Sequence, residues 1–248
     1  MLKSLVLRRW AIALATIILP LASSAQSDFG LWTNAEAQFN LSRKWEVAIE
    51  AGLRTRSGLS TLDRWSLGAS AEFAPVKPFC VGIGYQFLDS KYDSYATSKG
   101  NIVDDYWRIR NRFFGQFKLK FRPSILKLDL RFRYQLTHKS MVSIAKYSAA
   151  GVRKSNEVKD ADNESLLRSR ISLGFKTKTI LTPAVSYELF NDLGDGFSLD
   201  KQRLTLGTDI RLNKHNELNV GYVRNIFSGS DDTDRAHNVL SIGYKFKF

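Results

Sequence analysis

Arginine recurs at every second position in several segments of this chain. Arg108, Arg110 and Arg112 alternate with large apolar residues, and Arg131 and Arg133 do the same further along. Side chains two residues apart on a β-strand point to the same face, so each series would form a row of guanidinium groups. Rings of basic side chains favour anions and phosphates, and these rows therefore suggest a surface that binds or passes anions.

Alternation places further charged residues on the same polar face, with arginine in excess over the acids. The full set is Arg64, Arg108, Arg110, Arg112, Arg131, Arg133, Arg168, Arg170, Arg203, Glu46, Glu50, Glu72, Asp129, Glu188 and Asp209. Buried guanidinium and carboxylate groups are costly unless paired, so this face could be a ladder of ion pairs that keeps a narrow interior rigid. It could instead form an anion-favouring path or an anionic-ligand site. Both interpretations stay open.

Catalytic chemistry has few candidates in this sequence. The histidines lie in predicted loops or turns or at a strand end: His138 beside Ser140, His215, and His237 near Asp231, Asp232 and Asp234. No Gly-x-Ser-x-Gly, metal-ligand spacing or phosphate loop is present. We therefore expect no enzyme, no cofactor and no metal site, with an outer-membrane lipid-modifying enzyme as a minor alternative. The loop acids fit solvated charges that also meet divalent ions bridging lipopolysaccharide.

Period-two alternation from Phe29 onward indicates the elements that would position these side chains. Segments of roughly nine to fifteen residues are separated by turns rich in Gly, Pro, Asn, Asp and Lys, and no long helix is apparent. Short and long connections alternate along the chain, as in outer-membrane barrels. About eleven strands can be counted, whereas single-chain bacterial barrels have even numbers, so we expect ten or twelve and favour twelve. The uncertain regions are Phe29–Leu41 and Met141–Tyr147.

The position of glycine decides which face of the sheet lies inside a barrel. A soluble lipid-binding barrel also alternates, but it keeps its apolar face inside. Here Gly52, Gly68, Gly82 and Gly84 fall on the polar face, where a crowded, concave lumen would require small residues. Aromatic residues near both strand ends resemble two interfacial girdles. We therefore predict an all-β, antiparallel transmembrane β-barrel with a polar, Arg-rich lumen.

The N-terminus has the features of an export signal. Basic residues Lys3, Arg8 and Arg9 precede an apolar stretch and the small-residue site Ser23-Ser24-Ala25, so we assign residues 1–25 to a signal peptide and 26–248 to the barrel domain. Removing the signal lowers the formal charge from +13 to about +10. The remaining basic residues alternate within strands rather than cluster, so we expect no nucleic acid as partner.

The C-terminus alternates aromatic and basic residues and ends on an aromatic. Tyr244, Phe246 and Phe248 share one face of the predicted last strand. In an exported chain, this pattern is typical of a final transmembrane strand whose aromatic face meets lipid. The lone Cys80 forms no internal disulfide and is expected to fill space.

The chain resembles outer-membrane β-barrel proteins, and more closely a Bacteroidetes-type family known only as a domain of unknown function. The segments that carry the likeness are Phe29-Gly30-Leu31-Trp32, Trp45–Arg54, Asp63-Arg64-Trp65, Arg108–Arg112, Leu167-Arg168-Ser169-Arg170, Lys201-Gln202-Arg203-Leu204 and Gly243–Phe248. These are architectural patterns without a catalytic signature. The resemblance implies the outer membrane of Gram-negative bacteria, and it implies that Tyr244, Phe246 and Phe248 form an assembly signal for the barrel-assembly machinery.

Two hypotheses of function follow, both with outer-membrane lipid and lipopolysaccharide as surroundings. The first is a narrow, anion-favouring, porin-like pore for a small anionic solute. The second is a structural or surface-interaction barrel with a closed, ion-paired lumen.

Overall fold

The computed structural model describes residues 29–228 and 236–248, and these residues form sixteen β-strands. Their bounds are β1 Phe29–Asn40, β2 Trp45–Arg56, β3 Thr61–Phe73, β4 Phe79–Tyr92, β5 Tyr95–Ala96, β6 Ile102–Val103, β7 Tyr106–Phe121, β8 Leu126–Lys139, β9 Val142–Ile144, β10 Lys146–Tyr147, β11 Glu157–Lys159, β12 Asp162–Phe175, β13 Leu181–Asp192, β14 Ser198–Arg211, β15 Asn216–Phe227 and β16 Asn238–Lys247. The two described ranges contain no helix that is long and apolar enough to cross a membrane. The predicted signal peptide lies outside them.

Eleven of the strands in the described residues close into one barrel, in the order β1-β2-β3-β4-β7-β8-β12-β13-β14-β15-β16 and back to β1. Each sequential neighbour pairs antiparallel, whereas β1 pairs with β16 in parallel register from Phe29↔Asn238 to Gln38↔Lys247. The prediction of an all-β barrel is confirmed, and the prediction of ten or twelve strands is wrong. An odd count makes the first and last strands run in the same direction, so the barrel closes through a parallel pair.

Both uncertain regions of the sequence are resolved by the pairing. Phe29–Asn40 is a full barrel strand that bonds to β2 on one side and to β16 on the other. The segment from Met141 to Tyr147 contains β9 and β10, which lie outside the barrel. Two small sheets form there, one of β5, β6 and β10 and one of β9 and β11. The first sheet joins the β4–β7 connection to the β8–β12 connection, and the second lies within the β8–β12 connection, so the two longest loops fold against each other.

The two rims of the barrel differ in their connections. The short-turn rim carries the connections β1–β2, β3–β4, β7–β8, β12–β13 and β14–β15, and β16 ends there. The long-loop rim carries the remaining connections, and β1 begins there. The β2–β3 connection lies at this rim but is a four-residue turn at Ser57–Ser60, with positive φ at Ser57, Gly58 and Leu59.

Alternation along each strand separates an apolar exterior from a polar interior. Ile49, Ile83 and Phe113 are more than half exposed on the outer surface, whereas the interior buries Arg110 and Thr137 almost completely. A small apolar cluster also lies inside, where Trp32 packs against three residues of β15 and β16 and the segment between them: Val223, Ala236 and Val239. The wall of the barrel therefore presents hydrocarbon outward and hydrogen-bonding groups inward.

Candidate functional site

The lumen brings together the charged residues that alternation assigns to the polar face. Toward the long-loop rim lie Arg108 and Arg110; across the middle lie Arg64, Arg112, Arg131, Arg133, Arg168, Arg170, Arg203, Glu50 and Glu188; toward the short-turn rim lie Glu46, Glu72, Asp129 and Asp209. The inward face is continuous around the barrel, so side chains from strands far apart in sequence meet across it.

Glu188 on β13 is the centre of the middle level. Its Oε1 accepts a hydrogen bond from Arg131 Nη2 and another from Arg168 Nε at 3.1 Å, and it forms an ion pair with Arg168 Nη2 at 3.0 Å. Its Oε2 lies 4.0 Å from Arg203 Nη1. The three arginines come from β8, β12 and β14, and Glu188 is 3% exposed. One buried carboxylate is therefore shared by three guanidinium groups.

Two pairs of arginines lie directly opposite each other on β8 and β12. Arg133 faces Arg168, and Arg131 faces Arg170. Like charges in directly opposite positions destabilise a sheet unless other groups compensate them. Glu188 compensates two of these arginines, and Gln116 Oε1 accepts from Arg133 Nε at 3.0 Å and Nη2 at 2.7 Å. Arg170 hydrogen-bonds to no side chain among the described residues.

Glutamines in the lumen link arginines to acids by hydrogen bonds. Gln86 Oε1 accepts from Arg112 Nη1 at 3.1 Å, and Gln86 Nε2 donates to Glu50 Oε1 at 2.9 Å. Gln116, which accepts from an arginine of β8, donates through Nε2 to Glu72 Oε1 at 2.9 Å. An amide can accept with its oxygen and donate with its nitrogen, so these glutamines satisfy a cation and an anion at once.

Aromatic rings also lie in the lumen beneath cations, with the nearest contacts at Phe114, Trp32 and Phe190. Arg133 Cζ is 3.9 Å from the Phe114 ring centroid, and Arg54 Cζ is 3.8 Å from that of Trp32. Phe190 faces three cations at 4.5 to 4.9 Å: Arg168, Lys201 and Arg203. The face of an aromatic ring attracts a cation, so the rings hold the guanidinium groups in place.

The lumen aromatics and the lumen glutamines were not among the functional side chains predicted from the sequence. The aromatic residues were predicted to form lipid-facing girdles. The position of Phe114 on β7 could have identified it. It lies two residues from both Arg112 and Gln116, so its side chain points to the same face of the strand as theirs. Glycine on the polar face was expected to make room for arginine. At Gly84, a Cβ would overlap the Phe114 ring, and at Gly68 it would come within 3.0 Å of Glu50.

A constriction divides the lumen between two larger cavities. Only about 30 Å³ remains open at the constriction, which is the volume of roughly one water molecule. Its charged lining is Arg54, Arg64, Arg112, Glu164, Arg168, Lys201 and Arg203. On the long-loop side lies a cavity of about 540 Å³; on the short-turn side lie cavities of about 290 and 400 Å³ that share Lys127, Asp129, Thr182 and Asp209.

The outer cavity is framed by the folded loops. Arg108 donates from Nε to the carbonyl oxygen of Ser140 at 2.8 Å and from Nη2 to that of Asp160 at 2.5 Å. Arg108 therefore anchors both ends of the β8–β12 connection to the barrel. Tyr92 and Tyr106 stack with centroids 4.9 Å apart, and Arg110 lies 5.3 Å from the Tyr92 ring.

The C-terminal aromatics lie on the outer face of β16. Tyr244 and Phe248 are exposed, and Phe248 stacks on Phe39 of β1 with centroids 4.4 Å apart. The rings of Phe246 and Phe248 are in edge contact, with centroids 4.6 Å apart. The aromatic edge therefore crosses the parallel closure of the barrel. The role of these residues in assembly stays a prediction.

The histidines are held at the rims by neighbouring groups. His138 Nδ1 lies 2.9 Å from Asn163 Oδ1, and His215 Nδ1 lies 2.7 Å from the carbonyl oxygen of Lys247. His237 Nδ1 is 3.3 Å from a backbone carbonyl oxygen of β15. The acids near it in sequence, Asp231, Asp232 and Asp234, lie outside the described residues.

Comparison with known proteins supports the same architecture. A family model described as "Protein of unknown function (DUF2490)" matches residues 29–236 and confirms the resemblance to an uncharacterised family. None of the curated proteins matches the sequence. The β-domain of the Bordetella autotransporter Brka is similar with a TM-score of 0.58 and 15% identity, over 84% of this chain and 85% of that one. The translocator domain of autotransporter NalP from Neisseria meningitidis has a TM-score of 0.53 and 13% identity, over 75% and 70%. These likenesses show a barrel fold of the autotransporter type.

Proposed function

We propose, from the premise that the chain belongs to the DUF2490 family of proteins of unknown function, that it is an outer-membrane β-barrel acting as a narrow, anion-favouring pore. The apolar exterior supports the membrane location, because exposed Ile, Leu, Val and Phe on most of the barrel strands require a non-aqueous surrounding. Paired outward aromatics near the rims, such as Trp45 with Phe73 and Trp65 with Phe87, match interfacial girdles.

The constriction is the observation that carries the pore proposal. Six of the seven charged residues that line it are Arg or Lys, and they lie between two cavities that reach opposite rims. A ring of basic side chains at the narrowest point favours anions over cations. The small open volume limits any such pathway to water and small anions unless side chains move.

Single-channel conductance of the refolded protein in a planar bilayer under a salt gradient tests this proposal. We expect a small conductance with a reversal potential biased toward anions. Arg168→Ala should shift the reversal potential toward zero, whereas Arg43→Ala, in an exposed turn of the short-turn rim, should leave it unchanged. A cation-biased reversal potential in the folded wild-type protein would contradict the proposal.

The second candidate is a structural or surface-interaction barrel with a closed, ion-paired lumen. The hydrogen bonds of Arg131 and Arg168 to Glu188 favour it, because they fill the middle of the lumen with satisfied side chains. Under this candidate the folded protein would be electrically silent, and Arg168→Ala would only lower its unfolding temperature. Lipid, lipopolysaccharide and the barrel-assembly machinery would be its contacts in either case.

We do not propose an enzymatic activity. His138 and His215 lie at opposite rims, each bonded to a neighbouring amide or carbonyl oxygen. A lipid hydrolase requires a nucleophile and a base within hydrogen-bond reach of each other. Neither histidine forms such a pair among the described residues. A lipid hydrolase assay with the folded protein is the direct check on this minor alternative.

A further inference from the structure

The 290 Å³ cavity on the short-turn side of the constriction forms a cup inside the barrel. Its inward lining comes from the short-turn halves of β8 and β12–β16. Because it shares lining residues with the 400 Å³ cavity at the short-turn rim, it opens toward that rim. On the other side, the Glu188 cluster and the constriction separate it from the outer cavity.

The lining of this cup is rich in hydroxyl groups. Five of them are hydrogen-bonded to no other group among the described residues, and they belong to Ser172, Thr182, Ser186, Thr205 and Ser241. The lining contains no aromatic side chain, so a ligand would be held by hydrogen bonds rather than by ring stacking. Free hydroxyls that converge on one cavity suit a ligand that itself carries several hydroxyls.

Arg170 supplies a cation to the same cavity. It lines the cup, lies within electrostatic reach of Asp129 and Glu188, and makes no hydrogen bond to a described residue. Both acids are engaged elsewhere, since Asp129 is 2.7 Å from Arg122 Nη2 and Glu188 binds two other arginines. The five N–H donors of the Arg170 guanidinium are therefore available to a carboxylate or phosphate.

Glycine keeps the floor of the cup open. Gly207 and Gly221 lie directly opposite each other on β14 and β15, and a Cβ on Gly207 would come within 2.7 Å of the Val220 carbonyl oxygen. Two facing glycines expose flat backbone where other residues would project into the cavity. The cavity volume is near the lower end of small-molecule sites, which is the size range of a single sugar.

We propose that this cup binds a small polyhydroxylated anion of monosaccharide size, with Arg170 pairing its acid group and the serine and threonine hydroxyls bonding its hydroxyl groups. The proposal rests on the proposed function in that the lumen attracts anions; a ligand of this size reaches the cup from the short-turn rim and does not cross the constriction. A site built to bond hydroxyls discriminates strongly against analogues that lack them.

Calorimetric titration of the full-length folded protein in detergent micelles tests this proposal. The probes are glucuronate, neutral glucose and acetate. We expect glucuronate to bind, with glucose and acetate each at least about tenfold weaker, because each lacks one of the two interactions. Equal affinity for glucuronate and acetate, or no glucuronate binding, would overturn the proposal. Binding in micelles needs no conductance, so failure here and failure of the pore proposal are separate results.

Two variants locate the site. Arg170→Gln should weaken glucuronate binding about tenfold or more, because it removes the cation but disturbs no hydrogen bond between described residues. Arg153→Gln, an exposed arginine at the long-loop rim, is the matched control and should bind as the wild type does. Ser186→Ala should weaken glucuronate but not acetate. Unchanged glucuronate affinity in both Arg170→Gln and Ser186→Ala would exclude this cup as the glucuronate-binding site.

Discussion

Glu188→Gln is the substitution that best tests whether the shared carboxylate holds the lumen together. The wild-type group is 3% exposed and accepts hydrogen bonds from Arg131 and Arg168, with Arg203 at 4.0 Å. A glutamine keeps the shape and one acceptor oxygen but removes the negative charge that these three guanidinium groups share. Breaking a buried ion pair by removing one partner costs about 3 to 5 kcal/mol. We expect the free energy of unfolding to fall by that amount.

The assay is urea unfolding of the refolded barrel in lipid vesicles, followed by tryptophan fluorescence. Glu217→Gln is the matched control, because Glu217 pairs with Lys247 at 2.8 Å at the short-turn rim, where the lysine side chain is 32% exposed. Both side chains of this pair keep contact with water, at 32% and 16% exposure, so we expect the control to lose only about 0 to 1 kcal/mol. If Glu188→Gln and the control lose the same small amount, the Glu188 cluster does not stabilise the barrel. Its role would then have to lie in the lumen alone.

Three further predictions concern the lumen wall, the C-terminus and the outer loops. Gly84→Val should lower the free energy of unfolding by about 1 to 3 kcal/mol, because the new side chain overlaps the Phe114 ring. Gly115→Val is the control, and it should not lower this free energy because its Cβ would meet open space. Thermal unfolding of both variants measures the difference. Deleting Phe248 should reduce the folded fraction in the outer membrane, with Phe121→Ala, an exposed aromatic at the same rim, as the control; normal assembly without Phe248 would refute the signal. In the loops, the hydrogen bond from Lys146 at 2.9 Å lowers the pKa of Glu157, so this pair persists at neutral pH and is lost as the pH falls through that lowered pKa. NMR titration of the Glu157 carboxyl carbon measures this pKa, and the lowering of the pKa should disappear in Lys146→Met.

Local alternation predicted the barrel strands well but could not predict how the barrel closes. The alternating row Arg108, Arg110 and Arg112 lies on β7, Tyr106–Phe121, as predicted, because side-chain parity is visible within a few residues. The pairing of Phe29–Asn40 with β2 is local, whereas its pairing with β16 joins residues about two hundred positions apart. Nothing in the local pattern distinguishes a strand that closes a barrel in parallel, so the rule of even numbers led to a wrong count.

Alternation likewise predicted that the charged residues share one face of the sheet, but it did not predict which of them contact each other. Arg131 and Glu188 are 57 residues apart and meet because β8, β12 and β13 are adjacent on a curved wall. The sequence analysis therefore predicted an Arg-rich surface, yet it did not predict that one carboxylate would serve three arginines. It also placed aromatic residues outside, because most of them do face outward. Phe114, Phe190 and Trp32 are exceptions that only the cation contacts explain.

The parallel closure has a consequence for how such a barrel would enter a bilayer. Strands that insert as hairpins cross the bilayer in pairs, so one strand of an eleven-stranded barrel has no hairpin partner. Phe29 lies at the long-loop rim and Phe248 at the short-turn rim, so labels attached at these two positions would report from opposite rims of the barrel. Docking of β1 onto β16 would be the step that completes translocation and seals the barrel together.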